Sequence, residues 1–231
     1  MRQLGIFAKY PQPGRVKTRL AATIGDEAAC RLYRAFIETL LRRFANVGDR
    51  RVLAFSPPER RAEFEPLAGQ SWQLAEQSAG DLGQRMRRYF EEALAGGASR
   101  VVLLGSDSPT LPVEYVQRAF NLLSDVPVVL GPSDDGGYYL IGVAERVPPI
   151  FDDIAWSSEA VFEQTARRLQ SLGRDFRKLP PWYDVDDEQD LRRLKNELSE
   201  QPSEPGATDC GFAMLRDSIA EVDAIRRGMD D

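Results

Sequence analysis

The sequence at residues 101–112 is Val-Val-Leu-Leu-Gly-Ser-Asp-Ser-Pro-Thr-Leu-Pro. Its four leading apolar residues predict a strand buried on both faces, which is typical of a parallel sheet. The strand ends at Gly105, and Asp107 follows in a turn that Pro109 closes. Ligands of open α/β sheets bind outside the carboxyl ends of the strands, so Asp107 stands where it could meet a metal ion or a ligand hydroxyl. The alternative, equally weighted, is that Asp107 forms ordinary turn structure or caps the helix that starts near Pro112.

Around this strand the chain alternates between strand and helix patterns. Further strands are predicted at Leu4–Ala8, Arg51–Ser56, Trp72–Glu76, Pro127–Leu130, Tyr138–Gly142 and Phe176–Leu179. Helices are predicted at about 25–45, 59–67, 81–96, 112–123 and 158–172, with another starting near residue 187. This order predicts an α/β protein with a mostly parallel mixed sheet.

Composition limits the classes of function. The 231 residues, 42% hydrophobic and 29% charged, suit one large domain or a domain with an appendage. The net charge of −6 argues against a protein that binds nucleic acid through a basic surface. No apolar run approaches the roughly 18 residues that span a bilayer. The two cysteines, Cys30 and Cys210, lie far apart in sequence and are interpreted as free thiols of a cytoplasmic protein.

The chain contains no histidine. This excludes Ser-His-Asp and Cys-His catalysis, zinc held by histidine, and imidazole acid–base chemistry. Chemistry must then use carboxylates, Lys and Arg, hydroxyls, backbone amides or a metal ion held by oxygen. Oxygen ligands favour Mg²⁺, Mn²⁺ or Ca²⁺.

A cationic loop follows the first strand, Lys-Tyr-Pro-Gln-Pro-Gly-Arg-Val-Lys-Thr-Arg-Leu at residues 9–20. Cations and free backbone N–H groups at the carboxyl end of a strand suit a diphosphate, with Gly14, Lys17 and Arg19 as candidates. The spacing is not that of a P-loop, whose Gly-Lys-Ser/Thr is contiguous. A solvated basic turn explains the loop equally well.

Cations also cluster at residues 77–88, where Asp81 is a plausible N-cap and Arg85, Arg87 and Arg88 lie in the first turns of a helix. Cations there oppose the helix macrodipole, which indicates either a bound anion or simple solvation. Solvation is favoured for Arg87 and Arg88.

Residues 134–137, Asp-Asp-Gly-Gly, predict a hairpin that would make the strand from Tyr138 antiparallel to its predecessor. Adjacent glycines also allow close backbone approach to a ligand. Further on, Trp156 is interpreted as an exposed aromatic residue before a helix capped at about Ser158.

Acidic residues gather at 184–190. Acidic bias at a helix N-terminus accounts for Asp187 and Asp190. Asp184 and Asp186 precede the helix and alternate along an extended stretch, so both face one side.

The last segment has a different composition. Residues 199–209 are rich in Pro, Ser and Glu and predict a linker, which divides the chain into 1–198 and 199–231. Apolar residues then recur at helical spacing, predicting an amphipathic helix that docks on the domain or on a partner subunit in a homodimer: Phe212, Leu215, Ile219, Val222 and Ile225.

Three separated motifs occur together: Phe-Ala-Lys-x-Pro-x-x-Gly-x-Val-Lys-Thr-Arg-Leu (7–20), Gly-Ser-Asp-Ser-Pro-Thr-Leu-Pro (105–112) and Gly-Pro-x-x-Asp-Gly-Gly-Tyr-Tyr-Leu-Ile-Gly (131–142). As a set they resemble the bacterial DUF2064 family of GT-A-like nucleotide-diphospho-sugar transferases, some of which are assigned to arsenosugar biosynthesis. The resemblance extends from about Leu4 to Leu198.

The resemblance implies a three-layer α/β/α, Rossmann-like GT-A fold that binds a nucleotide with a divalent metal ion, Mg²⁺ or Mn²⁺. It implies phosphate binding by Lys9, Lys17 and Arg19, near Gly14, and nucleotide or sugar contacts by Asp81 and Arg85. It implies metal binding by Asp107 and Asp186, and an acceptor side formed by Asp135, Gly136 and Gly137, to which we add Trp156.

The leading functional hypothesis is a glycosyltransferase that uses a nucleotide-sugar and a small-molecule acceptor, with Asp135 as the base. The chain departs from the Asp-x-Asp pattern of glycosyltransferases, because Gly105 stands where the first acid would be. Two features are instead similar to phospholactate guanylyltransferase-type nucleotidyltransferases. One is a single acid in the 105–112 motif with a second acid from the late Asp-Val-Asp segment, and the other is the Val-Lys-Thr-Arg-Leu segment of the first loop. The alternatives are therefore nucleotidyl transfer from a nucleoside triphosphate to a phosphorylated acid or sugar, and a non-catalytic nucleotide-binding module.

Overall fold

The computed structural model describes residues 1–200 and 210–227. The strands in this part of the chain are β1 Arg2–Lys9, β2 Arg50–Ser56, β3 Gln73–Glu76, β4 Arg100–Leu104, β5 Val128–Pro132, β6 Tyr138–Ala144 and β7 Phe176–Lys178. They form one sheet in the order β3-β2-β1-β4-β6-β5-β7. All neighbouring strands are parallel except β6, which is antiparallel to both β4 and β5. The predicted α/β class and the antiparallel hairpin strand are confirmed.

Helices cover both faces of the sheet. They are α1 Thr18–Ile24, α2 Asp26–Arg43, α3 Arg61–Ala68, α4 Leu82–Ala95, α5 Val113–Leu122, α6 Val161–Ser171, α7 Glu188–Glu200 and α8 Cys210–Arg227. One core contains residues of α1, α2, α3, α5, α7 and α8, and a second core contains residues of α4 and α6. The architecture is thus the expected three-layer α/β/α arrangement.

Strand β4 shows why the sequence specifies this arrangement. Val102 and Leu104 belong to the first core, whereas Val101 and Leu103 belong to the second. Alternate side chains of a strand point to opposite faces, so an uninterrupted apolar run buries both faces. The prediction of a doubly buried strand is confirmed.

The sheet order reverses between β1 and β4. The two strands are parallel neighbours, with Ile6 opposite Leu104. Their carboxyl ends therefore lie side by side, and β1 leads into the cationic loop while β4 leads into the loop that contains Asp107. A crevice at such a switch point is the usual ligand site of an open α/β sheet.

Two helix starts differ from the sequence predictions. Thr18–Ile24 forms a short helix where we predicted loop up to Leu20. Helix α6 begins at Val161, not near Ser158. The Ser158 hydroxyl instead donates to the carbonyl of Ala155 and accepts from the amide of Ala160 at 3.3 Å, forming a turn before the helix.

The terminal helix α8 packs on α2 of the same chain. Its buried residues Phe212, Leu215, Ile219 and Val222 join the first core. Most of the predicted linker, residues 201–209, and the Cys210 side chain lie outside the described residues; Cys30 is a buried free thiol. Across 1–200 and 210–227, no helix has the length and apolar character to cross a bilayer.

Candidate functional site

The loops after β1 and β4 meet at the side chain of Lys17. Its ammonium forms ion pairs with Asp107 and with Asp186, the latter at 2.8 Å from Oδ1. The Lys17 side chain is only 3% exposed, whereas Asp107 and Asp186 are 40% and 37% exposed. Three of the sequence-predicted site residues therefore form one cluster at the switch point.

The surroundings of Lys17 favour positive charge. The Lys17 Nζ lies 5.8 Å and 5.7 Å from the ring centroids of Tyr33 and Phe36, within the range of cation–π attraction. Burial alone would lower the pKa of Lys17, but the Asp107 and Asp186 carboxylates raise it above its ordinary value. The ammonium is therefore charged at neutral pH.

A second carboxylate network adjoins this cluster. The Asp184 oxygens accept hydrogen bonds from Ser108 at 2.5 Å and from Ser133 at 2.9 Å. Burial, and then the neighbouring negative charge of Asp107, raise the pKa of Asp184 to about 7. These contacts tie the Asp184–Asp186 segment to the ends of β4 and β5. The two acids lie at one site, as their alternation predicted.

Helix α2 contacts the loop that contains Asp107 through the side chain of Tyr33. The Tyr33 and Ser106 hydroxyls lie 2.7 Å apart, and the Tyr33 oxygen also accepts from the Lys9 amide at 3.1 Å. Burial raises the pKa of Tyr33 to about 12, so it remains a neutral phenol. The backbone carbonyl of Asp107 accepts from the Val185 amide. Asp107 does not cap helix α5, whose N-cap is Pro112 and lacks a side-chain hydrogen bond.

Sequence reasoning missed the supporting residues Tyr33, Ser106, Ser108 and Ser133. Tyr33 was not singled out, because nothing in the neighbouring sequence marks a tyrosine inside this helix as part of a site. The serines that flank Asp107 were visible in the Gly-Ser-Asp-Ser-Pro motif. The Ser106 hydroxyl contacts the Tyr33 hydroxyl, 73 residues away in sequence, and the Ser108 hydroxyl donates to the Asp184 carboxylate, 76 residues away, so only the tertiary structure reveals these contacts.

A pocket of about 220 Å³ opens beside the acidic cluster. Its charged lining comes from Asp107 and Asp184, and among the residues that the structure describes no Lys or Arg lines it. The rest is mainly apolar or aromatic: Phe7, Leu82, Met86, Leu103, Leu104, Gly105, Tyr138, Tyr139 and Ile141. Such a lining suits an uncharged, flat group better than a phosphate.

The remaining cations of the first loop stay near the surface. The Lys9 ammonium is exposed and donates to the Arg15 carbonyl at 2.8 Å. Arg19 is 68% exposed and pairs with Asp187 at 2.6 Å. Gly14 has φ +71°, a left-handed turn conformation that suits glycine. Phosphate binding by Lys9, Gly14, Lys17 and Arg19 stays a prediction.

Asp81 is the N-cap of α4, as predicted. Its side chain accepts from the Gln84 amide at 2.8 Å, and the Gln84 side chain accepts from the Asp81 amide, which completes a capping box. Arg85 donates to the Gly80 carbonyl at 2.8 Å. Arg87 and Arg88 form surface ion pairs with Glu91 and Glu92, consistent with the solvation interpretation. Nucleotide contacts by Asp81 and Arg85 stay predictions.

The glycines of the 134–137 hairpin do not both face open space that a ligand could occupy. A Cβ at Gly136 would collide with the backbone of Glu159, so the close approach there is to another part of the chain. The Asp135 carboxylate is exposed and accepts from the Gly137 amide at 2.9 Å. The acceptor-side and catalytic roles of this tip stay predictions.

Trp156 is not the exposed aromatic residue that we predicted. It is half-buried, because its ring packs against Gly83 at the start of α4, stacks on Phe151 and meets the Tyr138 ring edge-on. The aromatic cluster of Trp156 and Tyr138 lies next to the pocket, since Tyr138 lines it.

The donor set limits how a metal ion could bind. In the described part of the chain, no group of three or more acidic or cysteine side chains is arranged to hold a metal ion. Asp107 and Asp186 supply two carboxylates. Mg²⁺ is commonly held by one or two carboxylates together with substrate phosphates and water. The residues therefore fit a metal ion that arrives with a phosphorylated ligand, and do not fit one held by protein alone.

The strand order, with its reversal between β1 and β4, defines a Rossmann-like α/β fold. The chain belongs to the family described as "Uncharacterized protein conserved in bacteria (DUF2064)", whose model matches residues 39–158. That match includes Asp107 and the 134–137 hairpin, but not Lys17 or Asp186. No curated protein matches the chain.

Solved structures extend the likeness over nearly the whole chain. A "putative nucleotide-diphospho-sugar transferase" from Desulfovibrio desulfuricans G20 is 34% identical, covers 96% of this chain and 97% of its own, and has a TM-score of 0.86. A cytidylyltransferase from Leptospira borgpetersenii is 16% identical over 97% of this chain and 95% of its own, with a TM-score of 0.55. A nucleotidyl transferase from Methanothermobacter is 12% identical over 86% and 98%, also at 0.55. The last two share the fold.

Proposed function

We propose that this protein is a metal-dependent transferase that uses a nucleotide-sugar donor and a small-molecule acceptor. One observation carries the proposal: Lys17, Asp107 and Asp186 meet at the switch point, next to a pocket that no Lys or Arg of the described chain lines. The relative from Desulfovibrio desulfuricans, named for nucleotide-diphospho-sugar transfer, supports the same class.

Different residues of the site bind the uncharged part of the donor, the diphosphate and the metal ion. The uncharged part of the donor lies in the pocket between Phe7, Met86 and Tyr138, and the diphosphate extends toward the cations of the first loop. Asp107 and Asp186 would hold a divalent ion, Mg²⁺ or Mn²⁺, which when bound supplies Lewis-acid stabilisation of the leaving diphosphate.

The acceptor reacts from the hairpin side of the pocket. Asp135 is exposed, and its carboxylate would take the acceptor's proton. The half-buried Trp156, next to Tyr138 at the pocket, would offer an apolar wall to the acceptor.

Product analysis tests this function. The purified protein is incubated with UDP-, GDP-, CDP- and ADP-sugars, Mg²⁺ or Mn²⁺, and a panel of hydroxyl acceptors. We expect free nucleoside diphosphate that depends on metal and is lost in Asp107→Asn. Retained nucleotide affinity without turnover across the panel would instead support a non-catalytic binding module.

Nucleotidyl transfer is the second candidate, and one observation favours it. The two acids that would hold a metal ion come from separate segments, Asp107 after β4 and Asp186 before α7, and Gly105 stands where an Asp-x-Asp motif has its first acid. In this reaction a nucleoside triphosphate reacts with a phosphorylated acid or sugar, and pyrophosphate leaves. Release of pyrophosphate from a triphosphate, without nucleoside diphosphate from a nucleotide-sugar, would select this candidate.

A further inference from the structure

The position between the two candidate metal ligands already contains a positive charge. The Lys17 ammonium contacts Oδ1 of both Asp107 and Asp186 and lies near the Tyr33 and Phe36 rings. Carboxylates and aromatic faces both attract cations. With its side chain 3% exposed, Lys17 serves as a built-in countercharge.

The carboxylates themselves remain accessible. Asp107 and Asp186 are 40% and 37% exposed, so a cation from solvent can reach them. Such a cation meets two carboxylates that a fixed ammonium already neutralises in part. A second positive charge close to the first is repelled, and this repulsion is strong where water is excluded.

The backbone of Lys17 is consistent with a fixed position for this charge. Lys17 has φ 47° and ψ 43°, a left-handed conformation that is strained for a residue with a side chain. It is the N-cap of α1, yet its side chain does not cap the helix. The conformation instead accompanies an ammonium buried against the acidic pair. Strained residues of this kind concentrate at functional sites.

We propose that Lys17 is a positioning residue that holds Asp107 and Asp186 together and keeps their affinity for a free divalent cation low, so that the metal ion enters with a diphosphate. The inference rests on the metal site of the proposed function. A diphosphate brings negative charge that offsets both the ammonium and the metal ion. Lys17 therefore weakens binding of the free metal ion and strengthens binding of the diphosphate.

One substitution separates these two effects. We compare wild-type protein, Lys17→Met and the matched control Lys195→Met, by isothermal titration with Mn²⁺ alone and with pyrophosphate alone. Lys195 is also a lysine paired with a carboxylate, 2.5 Å from Asp223, and its loss changes the net charge equally.

We expect Lys17→Met to bind Mn²⁺ alone at least about tenfold more tightly than wild type, because repulsion by the ammonium is gone. We expect the same variant to bind pyrophosphate alone at least about tenfold more weakly. Lys195→Met should match wild type in both titrations. Structural damage would lower the affinity for both ligands. Tighter Mn²⁺ binding together with weaker pyrophosphate binding therefore separates the proposed role from a structural one.

Unchanged or weaker Mn²⁺ binding by Lys17→Met overturns the inference. If this variant lacks a cooperative unfolding transition, Lys17→Gln replaces it with the same expectations. A wild-type protein that binds Mn²⁺ as tightly alone as with pyrophosphate also overturns the inference, and needs no variant. A wild-type protein that binds neither ligand, alone or together, contradicts the proposed function itself.

Discussion

The indole ring of Trp156 lies directly against Gly83, so that a Cβ at position 83 would stand 2.5 Å from the ring. This contact joins the start of α4 to the segment before α6. It explains a glycine within the first turn of a helix, where glycine is otherwise unfavourable. It also places the aromatic cluster beside the candidate pocket.

We expect Gly83→Ala to lower the free energy of unfolding by about 1–3 kcal/mol, because the new methyl group overpacks the contact with Trp156. Urea denaturation measures the loss. Adding Trp156→Leu makes room for the methyl group, so the double variant should be more stable than the sum of the single changes predicts. Additive effects would show that this contact does not constrain position 83.

Asp107→Asn should abolish metal-dependent diphosphate binding. Surface substitutions usually change stability by no more than about 0.5 kcal/mol. Here Asp107 is one of two carboxylates that pair with the buried Lys17, so we expect a loss of about 1–3 kcal/mol, with the fold retained. Circular dichroism checks the fold, and titration with Mn²⁺ and pyrophosphate checks the site. Wild-type binding by this variant would refute the assignment of Asp107.

Ser133→Ala should destabilise the protein by about 1–3 kcal/mol, because it leaves one oxygen of the enclosed Asp184 carboxylate without its donor. The comparison is Ser158→Ala, where the hydroxyl belongs to an exposed turn. Thermal unfolding of both variants measures the difference. Equal melting temperatures would mean that the Ser133 hydroxyl contributes nothing to holding Asp184.

Tyr33→Phe tests the pH dependence of stability. Burial raises the pKa of Tyr33 to about 12, whereas an unfolded tyrosine ionises near pH 10. The contribution of the neutral phenol is therefore complete below about pH 10 and is lost as the pH rises through about 12. The substitution should cost about 1–3 kcal/mol at pH 7, since it removes the contacts to Ser106 and the Lys9 amide.

The stability difference between wild type and Tyr33→Phe should narrow between about pH 10 and pH 12. Urea denaturation across this range measures it, and the other tyrosines contribute to both proteins alike. A difference that stays constant up to pH 12 would contradict the raised pKa.

Leu215→Ala should lower the free energy of unfolding by about 2–5 kcal/mol, because this fully buried side chain belongs to the face of α8 that packs on α2. Nearby, the Arg43 guanidinium lies 4.3 Å from the centroid of the Phe212 ring. Glu221→Ala, on the exposed face, is the control and should change little. Loss of a dimer without loss of stability would instead indicate that α8 joins two copies of the chain.

Local sequence patterns determined most of the architecture. The apolar run at 101–104 specified a doubly buried strand, and Asp-Asp-Gly-Gly at 134–137 specified the hairpin. Asp81 and Gln84 specified a capped helix start. Each signal depends on residues within a few positions of one another, so a single sequence reveals it. The short helix Thr18–Ile24 was missed because the prolines, glycine and cations just before it are typical of a loop.

Only the tertiary structure decided how the site is assembled. The Lys17–Asp186 ion pair joins residues 169 positions apart, and the Gly83–Trp156 contact replaced the expected exposed indole. The sequence indicated that Lys17, Asp107 and Asp186 each lie near a strand end or a helix start. Reversal of the sheet order between β1 and β4 brings the carboxyl ends of these two strands together. The Lys17 side chain is buried there and pairs with both acids. Such pairing depends on strand order and on exclusion of water, and neither is encoded within a local window of sequence.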